Sequence, residues 1–123
     1  MDNFRAKVDQ FINDQISSVP HLEALLLIWN NRPKQWSAEA MGKSLYLTNE
    51  MAQRILDELA ARGLVNRNGD FYNYQSISEE RDKLIQELDI TYRRELVRVS
   101  GMIHSKASAA VLDFARAFRF KKD

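Results

Sequence analysis

A mainly α-helical fold with one small β-hairpin is predicted for this chain of 123 residues, on three observations. Apolar residues recur at helical spacing through most of its length, in segments separated by capping residues. Four glycines and two prolines are too few turn formers for an all-β fold. A single Asn68-Gly69 pair between two short β-prone runs marks one hairpin. The composition, 45% hydrophobic and 28% charged, is that of a globular protein rather than a disordered one. The length predicts a single domain spanning residues 1–123. With no cysteine, neither a disulfide framework nor a thiolate metal site is expected. The longest apolar run, Ala24 to Trp29, is far short of the roughly 20 residues that cross a bilayer. The acidic start at Asp2 and Asp9 lacks the layout of a signal peptide, so the expected location is cytoplasmic.

Each element has its own signal. Phe4, Val8, Phe11, Ile12 and Ile16 make the stripe of an N-terminal helix within residues 1–18, which must pack on the rest of the chain or on a second copy. Ser18 followed by Pro20 opens the next helix, apolar on most sides through Leu22, Leu25, Leu26, Ile28 and Trp29, and Asn30, Asn31 and Pro33 stop it. Gln35-Trp36 reads as a short extended piece. Ser37 then caps a short helix over 38–45, and Thr48 caps one reaching about Ala61, with Ala52, Ile55, Leu56 and Leu59 inward. Gly63 suits a left-handed C-cap. Residues 64–67 and 70–74 read as strands joined at Asn68-Gly69. Ser76 and Glu79 form a capping box for a long helix to about His104, and a last helix covers about 106–119.

Helix, short strand, helix, turn, helix and hairpin, in that order, is a winged helix-turn-helix over residues 20–75, with an N-terminal helix before it and two C-terminal helices over 76–123. The stretch from Leu47 to Val65, Leu-Thr-Asn-Glu-Met-Ala-Gln-Arg-Ile-Leu-Asp-Glu-Leu-Ala-Ala-Arg-Gly-Leu-Val, resembles the recognition helix and first wing strand of bacterial MarR- and PadR-like transcriptional regulators. The resemblance implies a non-enzymatic, homodimeric regulator that binds double-stranded DNA, with the helix over 48–61 in the major groove and the hairpin over 64–74 as the wing.

The exposed side of that helix supplies the candidate DNA contacts. With Ala52, Ile55 and Leu59 inward, the 100° step per residue turns Glu50, Gln53, Arg54 and Asp57 outward. Gln53 suits adenine, and Arg54 suits guanine or a phosphate. Thr48 and Asn49 sit where the helix enters the groove, and Arg67 on the wing suits a phosphate. Glu50, Asp57, Glu58 and Asp70 oppose this reading, because carboxylates repel phosphates and neutralised phosphates supply most non-specific affinity. The alternative is a winged helix that binds protein through its C-terminal helices.

Dimerisation is expected through Phe4, Val8 and Phe11 of the first helix and through Leu88, Tyr92, Leu96, Val99, Phe114 and Phe118 of the last two. Positive charge collects late in the chain: from Thr91 onward Arg93, Arg94, Arg98, Lys106, Arg116, Arg119, Lys121 and Lys122 face only Glu95, Asp113 and Asp123. With Phe114, Phe118 and Phe120 they make a basic aromatic end, suited to packing on the body, to an acidic protein partner, to DNA backbone or to an anionic membrane surface. Other signals fail. Gly42-Lys43-Ser44 lacks the first glycine of a phosphate-binding loop, and His21 and His104 have no cysteine beside them for zinc. No cofactor is expected.

Overall fold

The computed structural model describes residues 2–106, with side chains from Phe4 onward. Its elements run α1 (Asp2–Gln15), α2 (Val19–Asn30), α3 (Ala38–Leu45), α4 (Asn49–Ala61), β1 (Asn66–Asn68), β2 (Phe71–Asn73) and α5 (Glu79–Arg94). A sixth helix, α6, occupies 96–106, up to the last described residue. The helix expected over 106–119, with Phe114, Phe118 and Phe120, lies outside the described residues.

Capping residues set the starts of α2, α3 and α4. Ser18, Ser37 and Thr48 are extended, and their hydroxyl oxygens accept from the backbone N–H groups of His21, Ala40 and Met51. Gly63 ends α4 with φ at 75°. Its N–H donates to Ala60 O and that of Leu64 donates to Leu59 O, the paired bonds of a Schellman motif. This termination uses Leu64 and Val65 as buried plugs, so β1 begins only at Asn66 rather than at Leu64. The hairpin turn is Gly69-Asp70, one residue later than Asn68-Gly69, with Asn68 paired to Phe71. Gly69 carries the positive φ that the first turn residue requires. Trp36 joins the wing as a third extended piece, its N–H donating to Tyr72 O at 2.7 Å and its carbonyl oxygen accepting the Tyr72 N–H at 2.8 Å.

The C-terminal half departs from the expected single long helix. Its N-cap is Ser78, which accepts from Arg81 N, while Ser76 turns its hydroxyl to Asp82 at 2.6 Å instead. Helical geometry stops at Glu95 (φ −127°, ψ 47°) and resumes at once. The chain then stays helical through the predicted break at His104-Ser105. The interruption turns Leu96 out of the Ile85–Leu88 stripe to 52% exposure, while Val99 and Ile103 regain the core.

α3 packs on α4, α2 on both, and α1 on α5. The core takes Val8, Phe11, Ile12 and Ile16 from α1, Leu22, Ala24, Leu25, Leu26, Ile28 and Trp29 from α2, and Ile85 and Leu88 from α5. Burying each such side chain stabilises by about 1.5–3 kcal/mol. Polar clasps tie the beginning of the described chain to its end. Arg5 meets Glu95 at 2.9 Å, Arg98 meets Asp9 at 3.1 Å, and the Lys106 ammonium donates to Asn13 O at 2.6 Å and Ile16 O at 3.0 Å. Arg62 at the end of α4 donates to Asp14 O at 2.9 Å. Two cations from different helices thus cap the final carbonyls of α1. No helix among the described residues is long and apolar enough to cross a membrane.

Candidate nucleic-acid interface

The turn between α3 and α4 is tight because Gly42 has no side chain. A Cβ there would lie 2.8 Å from Leu47 O, and Gly42 O accepts the Leu47 N–H at 2.8 Å. The turn delivers Thr48, Asn49 and Glu50 to the surface at the start of α4. Thr48 Oγ1 is occupied as a cap, accepting from Met51 N at 3.1 Å. Arg54 is exposed and enters none of the ion pairs among the described residues.

Gln53 and Arg67 are placed differently from expectation. The Gln53 amide is half-buried and donates to Tyr72 Oη at 2.6 Å and Asp57 Oδ1 at 3.1 Å. Arg67 folds back from the wing, donating from Nη1 to Asp57 Oδ1 at 3.0 Å and from Nε to Gly69 O at 3.0 Å, with its guanidinium 5.6 Å from the Tyr72 ring centre. The Tyr72 hydroxyl also donates to Asp57 Oδ1. One carboxylate oxygen therefore gathers three donors and fastens the wing to α4. Burial, and then the Asp57 carboxylate, push the Tyr72 hydroxyl above its ordinary pKa, so it stays a donor.

This network removes part of the electrostatic objection. Asp57 is paired with Arg67 and Glu39 meets Lys43 at 3.2 Å, whereas Glu58, 3.5 Å from His21 Nε2, faces a ring that burial disfavours from carrying charge. Glu50 and Asp70 enter no ion pair among the described residues. Sequence reasoning missed Asp57 and Tyr72 as organisers. The available signal was Gln53 and Asp57 at i and i+4 beneath a wing whose one inward aromatic is Tyr72, fully buried opposite Arg67. The wing's outer face carries Phe71, half exposed, among Asn66, Asn68 and Asn73.

The residues expected at a dimer seam divide. Val8, Phe11, Leu88 and Val99 are at most 6% exposed; they fill this chain's own core because α1 lies on α5, and they offer no area to a second copy. Phe4 and Leu96 are exposed, and Tyr92 is partly so.

His21 makes the back of α4 sensitive to acid. Its ring is 12% exposed, with Nδ1 2.6 Å from Ser18 Oγ. Burial, only partly opposed by Glu58, lowers its pKa below 6.5. The unfolded chain then binds the proton more readily, so this contribution to stability is present above pH 6.5 and is lost as pH falls. Urea unfolding from about pH 7.5 to about pH 5.5 should show falling stability, and His21→Gln should flatten that limb. Asp82 and Glu95, both held low mainly by hydrogen bonds, act only below 3.8 and 4.5, outside this window.

No protein-family model matches the chain, and no curated protein matches it. Among solved structures, a MarR family protein from Bacillus stearothermophilus is similar with a TM-score of 0.53, over 98% of this chain and 84% of that one, at 18% identity. The likeness is one of fold: a MarR-like winged helix-turn-helix with flanking helices.

Proposed function

We propose that this winged helix is a DNA-binding transcriptional regulator, non-enzymatic and cytoplasmic, acting as a homodimer with α4 in the major groove. The observation that supports it most is the exposed edge of α4, where Asn49 and Arg54 are free to contact DNA while Asp57 is masked by Arg67. Arg54 supplies the base or phosphate contact, and Thr48 and Asn49 fix the register. Gln53 and Arg67 act by holding the wing against α4. The dimer seam draws on Phe4, Tyr92 and Leu96, on Val97 at 85% exposure, and on Phe114 and Phe118. Two recognition helices about 34 Å apart would match adjacent major grooves.

Arg54→Ala should weaken binding to a duplex carrying the gene's upstream region by about tenfold or more, with unfolding unchanged. Fluorescence anisotropy over a salt series, against a scrambled duplex, measures this. Equal binding by the variant would remove α4 from the groove. Glu50 and Asp70 favour a second reading, a protein-interaction module using the C-terminal helices and the basic aromatic end. Absence of binding to any duplex at low salt would favour it.

A further inference from the structure

Tyr46 stands in the turn between α3 and α4 and fits no structural role there. It adopts the left-handed conformation (φ 58°, ψ 44°), and it is the only non-glycine residue with positive φ among those described. Its backbone N–H and that of Leu47 both close on Gly42 O, a helix ending that glycine satisfies without the clash a Cβ brings. The ring is 96% exposed, so no burial repays the strained backbone. Two other tyrosines engage their hydroxyls within the chain, Tyr72 donating to Asp57 and Tyr74 to Asp82. The Tyr46 hydroxyl makes no hydrogen bond among the described residues.

We propose that the Tyr46 hydroxyl donates to a backbone phosphate of the duplex entered by α4, a contact that rests on the DNA-binding reading. Its place decides the occupant. In a helix-turn-helix the first helix crosses the backbone and the second enters the groove, so the turn between them comes down beside the phosphates. Ser44 and Thr48 flank it at two-residue spacing, both exposed, so the turn presents three hydroxyls. Lys43 on the same segment is engaged with Glu39. Neutral donors are common partners of phosphate oxygens, and they bind without releasing counterions in proportion to charge.

Tyr46→Gly and Tyr46→Phe test this, with anisotropy on a scrambled duplex and on one carrying the upstream region over a salt series, thermal unfolding and light scattering. Tyr46→Gly should raise Tm yet weaken binding to both duplexes by about three- to tenfold, leaving the salt slope unchanged. Tyr46→Phe should reproduce most of that loss without the gain in Tm. Wild-type affinity in Tyr46→Gly overturns the contact while the DNA-binding reading stands. Wild-type affinity in Tyr46→Phe overturns the hydroxyl as donor. A Tyr46→Gly chain with an altered oligomeric state assigns the ring to an interface between copies and overturns the proposal. A wild-type chain that binds neither duplex overturns this contact and the DNA-binding reading together.

Discussion

Replacing Asp57 by alanine is expected to destabilise the chain by about 2–3 kcal/mol and to abolish selective binding of its target duplex. The larger part comes from Tyr72. Its ring is fully buried, and loss of Asp57 leaves its hydroxyl with Gln53 as its remaining partner. An unmade bond of that kind costs about 1–3 kcal/mol. The Arg67 pair adds less, because both side chains are about half exposed (50% and 43%) and solvent screens them. Urea denaturation should show a lower midpoint at unchanged slope, since the same surface is exposed on unfolding. Tyr72→Phe removes the hydroxyl with both its bonds, to Asp57 and from Gln53, while leaving Arg67 and Gln53 on the carboxylate, and should cost about 1–2 kcal/mol. Released Arg67 becomes a mobile cation, so Asp57→Ala should retain or gain affinity for scrambled DNA while losing discrimination. Wild-type stability and discrimination in Asp57→Ala would show that the wing is held by Trp36 and Tyr72 packing alone.

The second large effect concerns one substitution at two glycines. Gly42→Ala should destabilise by about 1–3 kcal/mol, because its Cβ meets a backbone oxygen at 2.8 Å and α3 must move away from the start of α4. The roughly 1 kcal/mol that alanine gains over glycine in a helix offsets only part of a larger clash. Gly101, in α6, has nothing within 4 Å of the same Cβ, so Gly101→Ala should stabilise by about 0.5–1 kcal/mol. Parallel urea titrations of the two variants read the sign directly. A neutral Gly42→Ala would mean that the helix-turn-helix angle is not set by this approach.

What the sequence made legible follows from how local each cause is. Ser18, Ser37 and Thr48 act on N–H groups three residues ahead, and Gly63 acts on carbonyls just behind it, so their roles could be read within a short window. The helix end at Glu95 was invisible because its partners include Arg5, 90 residues away, while the apolar spacing continues across the break. The candidate site divided for a related reason. Helical periodicity gives the direction of a Cα–Cβ bond, which located Glu50 and Arg54 at the surface. It does not say where a long side chain ends, and Gln53 and Arg67 end on Asp57. Tyr46 belongs to a turn of ordinary composition, which gives no sign of which residue takes the left-handed position or turns its ring outward.

The clasps along α1 also bear on the order of assembly. Arg5, Asp9, Asn13 and Ile16 meet partners 89 to 93 residues later, so those contacts form only after nearly the whole described chain has been looped back. The helices and hairpin from α2 to β2 join neighbours in sequence and carry little such closure cost. The winged unit is therefore expected to assemble first, and amide hydrogen exchange should find the seam between α1 and α6 opening before it.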